Sequence, residues 1–119
     1  MSIEFSDMNL HPMLVQAVAE LGYTTPMPIQ SELIPVMMTG KDVIGQAQTG
    51  TGKTAAFALP ILHNIVPDQG IVQALVMTPT RELALQVAEA IAGLGKAMSI
   101  RVLTVYGGAP YGPQIHGLR

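Results

Sequence analysis

The sequence has no cysteine and few charged residues. Without cysteine, disulfide frameworks and thiolate metal sites are excluded, and an intracellular, cytoplasmic setting fits the chain. Charged residues make up 12% of the sequence, against a share of roughly 25% in typical soluble proteins. We therefore expect some apolar surface to be covered by a segment outside this sequence or by a partner. The alternative is a compact, alanine-rich domain.

Three further absences narrow the function classes. The net charge of −2 provides no bulk basic field for nucleic acid, so any such binding must be local. Residues 1–5 lack the basic start and the apolar stretch of a signal peptide. The longest apolar run, residues 55–66, is interrupted by Pro60, His63 and Asn64 and is too short to span a bilayer.

Apolar patterning predicts strands that alternate with helices. Predicted strands cover residues 42–46, 72–78 and 100–106, and helix signals run from Asn9 to Gly22, from Pro28 to Gly40, from Gly52 or Lys53 to about Ile65, and from Thr80 to Gly95. This alternation predicts an α/β fold, a parallel sheet with helices on both faces. The loops at 47–54, 78–82 and 106–110 each follow a strand, so we expect them to share one edge of the sheet. The glycine- and proline-rich tail that runs to Arg119 has only weak helix signals.

The organising stretch is residues 47–54, Ala-Gln-Thr-Gly-Thr-Gly-Lys-Thr, which lies between a predicted strand and a predicted helix. Its final three residues are those of a P-loop, in which backbone N–H groups surround a phosphate. Lys53 is expected to reach the β- and γ-phosphates, and the Thr54 hydroxyl to ligate Mg²⁺. Ala47 replaces the usual first glycine. The setting favours nucleotide binding over a plain tight turn.

A second candidate site lies before residues 47–54, where Tyr23 and Gln30 are close together in the sequence. A purine needs a flat apolar contact and an amide that both donates and accepts at its edge. Tyr23 provides the first and Gln30 the second. Taken alone, this pair is weak, because a single glutamine on a helix is usually solvated and Phe5 fits a satellite core position equally well.

Together these segments resemble DEAD-box RNA helicases. The matching residues are Tyr23, Pro26, Ile29 and Gln30 for the Q motif with Phe5 at its upstream aromatic position, 47–54 for motif I, 79–84 for motif Ia, and Gly107 and Gly108 for the glycine doublet. The motifs occur in family order, from Phe5 to about Gln114. The resemblance implies a RecA-like P-loop NTPase domain that uses ATP and Mg²⁺.

The resemblance also implies roles for single residues. Gln30 would read the adenine edge, with Tyr23 and Phe5 packing on the base. The phosphate and Mg²⁺ contacts would come from Gln48, Thr49, Gly50, Thr51, Gly52, Lys53 and Thr54, of which Lys53 and Thr54 serve catalysis. Contacts to the sugar–phosphate backbone of single-stranded RNA would come from Pro79, Thr80, Arg81, Gly107 and Gly108. The residues agree with this, because a helix start at Thr80 favours phosphate and Gly107 and Gly108 allow a close backbone approach. Contacts to phosphate do not read the bases, so binding should not depend on RNA sequence.

Parts of the family pattern are missing from the sequence. No predicted strand ends in the acidic residue that holds Mg²⁺ and positions water, and the Asp-Glu-Ala-Asp and Ser-Ala-Thr motifs are absent. Arg119 therefore looks like a cut. We expect the amino-terminal part of an ATP-dependent RNA helicase, with a Q-motif helical region at 1–40, an incomplete core at 41–119, and a second helicase domain missing.

On this interpretation the chain alone hydrolyses ATP negligibly. Two alternatives remain open from the residues: a small P-loop kinase, and a non-catalytic module that binds RNA in a nucleotide-dependent way. A kinase would need an acceptor site and mobile basic lid residues, for which only Lys41, Lys96 and Arg101 are spare.

Overall fold

The structure is a computed structural model that describes residues 4–48 and 52–118. Its α-helices are α1 (Pro12–Glu20), α2 (Pro28–Met38), α3 (Lys53–Asn64), α4 (Arg81–Gly95) and α5 (Tyr111–Gly117), with 3₁₀ turns at Phe5–Met8 and Lys96–Met98. Within these ranges, no helix combines the length and the apolarity that a membrane crossing requires.

The core lies between α3 and the helices around it. α3 is buried along most of its length, with Ala56, Ala58, Leu59 and Leu62 all inaccessible to solvent. The most extensive helix contact is that of α2 with α3, and α4 and α1 also pack on α3. The remaining core side chains come from α1, α2, α4, the two 3₁₀ turns and the link before α1: Phe5, Met8, Leu10, Leu14, Val18, Ile34, Val87, Ile91, Leu94 and Met98.

Several helix boundaries follow the sequence signals. Thr80 caps α4, as predicted, because its Oγ1 accepts a hydrogen bond from the Leu83 N–H at 3.1 Å. Gly22 and Gly40 adopt φ values of +88° and +85° just beyond α1 and α2, where a left-handed residue ends a helix. The start of α1 differs from the prediction: His11 is the N-cap, and Asn9 instead adopts φ +58° after the first 3₁₀ turn.

The predicted parallel sheet is not confirmed. Residues 41–48, 72–78 and 100–106 are all irregular, and none of the described residues forms a β-strand. A strand requires ladder hydrogen bonds to a neighbour, which is a non-local condition that apolar patterning does not test. Helices therefore provide all the regular structure in the described ranges.

Residues 72–78, the second predicted strand, form a near-continuous apolar run of the kind that is buried on both faces of a sheet, but they are largely exposed. Leu75 is 81% exposed and Met77 is 85% exposed, and Ile44 in the first predicted strand is 95% exposed. A continuous apolar run becomes buried only when other elements cover both of its faces. In the described part of the chain nothing covers these side chains.

The segment 41–48 lies along α2. A β-carbon added at Gly45 would be 3.2 Å from Leu33 Cδ1, so the backbone there approaches the helix closely. A shallow hollow of about 370 Å³ separates the two, and its walls include Ile29, Val36 and Ile44. The segment that leads into residues 47–54 is thus positioned by α2 rather than by a neighbouring strand.

The tail forms a helix more definitely than its composition indicated. α5 contains Gly112 and Pro113, yet it packs against the preceding segment 100–106. The backbone of Gly117 lies so close to Leu103 that a β-carbon would meet Leu103 Cδ1 at 2.6 Å. Tertiary contact of this kind outweighs low intrinsic helix propensity.

Candidate functional site

The start of α3 presents backbone N–H groups that have no acceptor inside the helix. Gly52 is the N-cap with φ +83°, and no side chain caps this end in the described residues. The first hydrogen bond of the helix runs from Ala56 N–H to Gly52 C=O at 3.2 Å, so the N–H groups of the first turn have no partner within the helix. Lys53 is exposed and Thr54 is half-buried at this end. Such an end favours an anion.

Gln30 holds this helix start to α2. The side chain is 1% exposed. Its Oε1 accepts from the Met27 N–H at 2.8 Å, and its Nε2 donates to the Gly52 carbonyl oxygen at 3.1 Å. A β-carbon at Gly52 would collide with Gln30 Nε2, so both the positive φ and the close approach require glycine there. The amide thus contacts backbone on both sides.

The two predicted aromatic contacts lie in different surroundings. Tyr23 is 45% exposed and lines a hollow of about 340 Å³ together with Thr54, Ala55 and Glu89. Phe5 is 4% exposed and belongs to the hydrophobic core. The structure therefore brings Tyr23 and Thr54 to one concave surface, while Phe5 packs inside.

The remaining predicted nucleotide contacts are residues 48–51, which precede α3 in the sequence. Gln48 is exposed. Thr49, Gly50 and Thr51 lie outside the described residues. Within the described ranges, no group of three or more histidine or acidic side chains is arranged to hold a metal ion. Thr54, the predicted Mg²⁺ ligand, lies within the described residues, in the first turn of α3.

The predicted RNA-contacting residues of motif Ia form the start of α4. Thr78 Oγ1 donates to the Thr80 carbonyl oxygen at 3.0 Å, which shapes the turn around Pro79. Arg81 is the first residue of α4, and its guanidinium lies 3.6 Å from Glu82 Oε1. Both side chains are more than half exposed, so this ion pair contributes little and leaves the guanidinium accessible.

The glycine doublet lies beside Arg81. Gly107 and Gly108 are exposed, and Gly108 has φ +86°. A β-carbon at Gly108 would be 3.8 Å from Arg81 Nη1, whereas one at Gly107 would meet nothing within 4 Å. The two motifs therefore form one continuous surface although they are far apart in the sequence.

Sequence reasoning did not identify Gln114 as a site residue. This side chain is 9% exposed and hydrogen-bonds to the backbone on both sides of the glycine doublet. Its only signal in the sequence is a single amide in a glycine- and proline-rich tail, which does not distinguish a buried residue from a solvated one.

Comparison with known proteins gives a consistent result. Residues 27–119 match the family model described as "DEAD/DEAH box helicase". The chain is 52% identical over 116 residues to the ATP-dependent RNA helicase DeaD of Mycobacterium tuberculosis, which covers 97% of this chain and 21% of that protein. The chain thus spans about one fifth of the length of this curated relative.

Two solved structures resemble the fold closely. A DEAD box protein from the hyperthermophile Methanococcus jannaschii superposes with a TM-score of 0.85 and 36% identity, covering 98% of this chain and 32% of that one. S. cerevisiae Dbp5, bound to RNA and ADP BeF3, gives a TM-score of 0.73 and 32% identity, covering 82% of this chain and 25% of that one. The family match covers more than half of the residues, so this chain belongs to the DEAD/DEAH box helicase family.

Proposed function

We propose that this chain is the amino-terminal part of an ATP-dependent RNA helicase and provides ATP contacts and part of the RNA surface. The observation that carries the proposal is the start of α3, where Gly52, Lys53 and Thr54 present uncapped backbone donors and a lysine. This end lies within the residues that match the family. ATP binding and hydrolysis would drive RNA unwinding or remodelling in the whole protein.

The chemistry of the α3 start fits a magnesium-bound triphosphate. The N–H groups of the first turn and the Lys53 ammonium are suited to phosphate oxygens, and the half-buried Thr54 hydroxyl is an oxygen ligand of the kind that Mg²⁺ prefers. Mg²⁺ supplies charge neutralisation between the phosphates. In this proposal, Gln48 and the loop residues 49–51 complete the phosphate contacts, and Lys53 and Thr54 are the catalytic residues that this chain contributes.

The base would lie close to Tyr23 and Gln30. The exposed ring of Tyr23 borders the hollow beside Thr54, which supports packing against adenine. Gln30 uses one lone pair and one N–H on backbone. Because the side chain is 1% exposed, a base edge would reach its remaining lone pair and N–H only after the surrounding residues moved aside. Phe5 stays a prediction as a base contact, and its burial favours a core role.

RNA would bind across the start of α4 and the glycine doublet. Arg81 lies beside Gly108, and Pro79, Thr80 and Gly107 extend the same surface. The similar S. cerevisiae Dbp5 structure is bound to RNA, which supports RNA binding by the whole protein. Phosphate contacts by an arginine and by backbone N–H groups do not depend on sequence, so we propose sequence-independent binding of single-stranded or duplex RNA.

The irregular segments 41–48, 72–78 and 100–106 would be strands of a RecA-like parallel sheet. Their exposed apolar side chains, such as Leu75 and Met77, support burial by neighbouring strands from a part of the protein outside this chain. We propose a Q-motif helical region at 1–40, a P-loop core that begins at 41, and a second helicase domain that completes the ATPase. The cytoplasmic location stays a prediction.

Substitution of the predicted phosphate-binding lysine, Lys53→Ala, is expected to weaken MgATP binding at least tenfold in the full-length protein. The lost interaction is a charged hydrogen bond, worth about 1.5–3 kcal/mol. Isothermal titration calorimetry measures the affinity. Lys96→Ala removes another exposed lysine, after α4, and should leave the affinity unchanged. Equal ATP affinity in Lys53→Ala and the native protein would contradict the phosphate site.

Substitution of the buried amide, Gln30→Ala, distinguishes base reading from support of the loop. If Gln30 reads adenine, the preference for ATP over GTP falls by about 1–3 kcal/mol, the scale of one bidentate base contact. If Gln30 only holds Gly52, ATP and GTP affinities fall by the same factor. Competitive binding of the two nucleotides to the full-length protein measures the ratio, and an equal loss for both would exclude base reading.

Substitution of the first residue of α4, Arg81→Ala, should weaken binding of the full-length protein to all single-stranded RNA sequences alike. The slope of log affinity against log salt should fall by about one unit, because one phosphate contact is lost. Arg101→Ala is the matched control, since Arg101 is exposed at the start of the segment that leads to the glycine doublet. A loss that varies with base sequence would argue against backbone contact.

A further inference from the structure

Gln114 is a buried amide whose hydrogen bonds surround the glycine doublet. Its Oε1 accepts from the Tyr106 N–H at 3.0 Å, and its Nε2 lies 3.4 Å from the Tyr106 carbonyl oxygen. The same Nε2 lies 3.3 Å from the carbonyl oxygen of Ala109 and 3.1 Å from that of Pro110. One side chain thus contacts the backbone immediately before and immediately after Gly107 and Gly108.

Gly107 and Gly108 themselves make few contacts with other described residues. Both glycines are exposed, and a β-carbon at Gly107 would meet no other atom within 4 Å. Glycine has more backbone conformations available than any other residue. Two exposed glycines would therefore sample many conformations unless the residues on either side of them were held in place. Gln114 fixes both flanks and leaves the outer face of the loop open, next to Arg81.

The chemistry at position 114 requires an amide. The Tyr106 N–H needs an acceptor, and the carbonyl oxygens that face Nε2 need a donor. Glutamine presents both, a carboxylate presents acceptors alone, and an aliphatic or thioether side chain presents no donor. A carboxylate there would also face three carbonyl oxygens without a proton between them, which is unfavourable in a buried position.

We propose that Gln114 is a positioning residue for RNA: it holds the Gly107–Gly108 loop in the conformation that receives a backbone phosphate beside Arg81. The inference rests on the proposed RNA surface. Gln114 need not touch RNA itself. Its effect comes from preorganisation, because a loop that is already ordered loses less conformational entropy when the strand binds.

The test compares Gln114→Glu and Gln114→Met in the full-length protein with Gln73→Glu as the matched control. Gln73 also uses both ends of its amide, with Val66 N–H at 2.9 Å and the Val66 carbonyl oxygen at 2.7 Å, but it shapes a different loop. Fluorescence anisotropy with a short labelled oligouridine and a non-hydrolysable ATP analogue measures RNA affinity. Calorimetry measures ATP affinity without RNA.

We expect both Gln114 variants to bind oligouridine about tenfold more weakly, the scale of one or two lost hydrogen bonds. Their ATP affinity, and the RNA affinity of Gln73→Glu, should stay within about twofold of native. The double variant Gln114→Met/Arg81→Ala should lose less than the product of the single losses, because both residues act on one contact. A residue that merely stabilised the fold would weaken ATP binding as well.

The outcomes separate this inference from the RNA surface on which it rests. Native RNA affinity in Arg81→Ala would contradict the surface. Weak RNA binding in Arg81→Ala with native binding in both Gln114 variants would overturn the role of Gln114 alone. Loss of ATP binding in Gln114→Glu and Gln114→Met, or unfolding of both, would also overturn it, since Gln114 would then support the whole fold.

Discussion

The Gly52 carbonyl oxygen is the point at which the helical amino-terminal region meets the predicted phosphate loop. It accepts one hydrogen bond from the Ala56 N–H inside α3 and another from the Gln30 amide of α2. The contact is close enough to exclude a β-carbon at residue 52. Because α2 and α3 also share the most extensive helix contact, a displacement of α2 would move the donors at the start of α3. The position of the proposed phosphate site is therefore set partly by α2, which lies outside residues 47–54.

Glutamine amides shape three loops in the same way. Gln30, Gln73 and Gln114 each accept from a backbone N–H and donate to a backbone carbonyl oxygen. Gln30 and Gln114 are buried, where an amide is tolerated only if its polar atoms are paired. They adjoin the predicted phosphate loop and the predicted RNA loop. A side chain with both a donor and an acceptor can make, in an irregular segment, the backbone hydrogen bonds that a neighbouring strand makes in a sheet.

Helix starts could be predicted from the sequence, whereas strand pairing and burial could not. Thr80 and Pro28 mark helix starts through capping and a fixed φ, which depend on a few adjacent residues. Residues 72–78 carry the composition of a buried strand, but burial and ladder hydrogen bonds depend on neighbours that the pattern does not specify. The motifs located Lys53 and Arg81, whereas the burial of Gln30 and Gln114 depends on tertiary contacts. α5 forms despite its glycine and proline because it packs against segment 100–106.

We propose that a nucleotide phosphate binds to the backbone N–H groups at the start of α3. Amide proton chemical shifts of the full-length protein, selectively labelled with nitrogen-15 and titrated with MgADP, test this most directly. Hydrogen bonding to phosphate should move the amide protons of Gly52, Lys53 and Thr54 downfield, while the amide of Glu82 in the first turn of α4 stays unchanged. Shifts confined to α4, or no shift at the start of α3 at saturating nucleotide, would show that phosphate does not bind there.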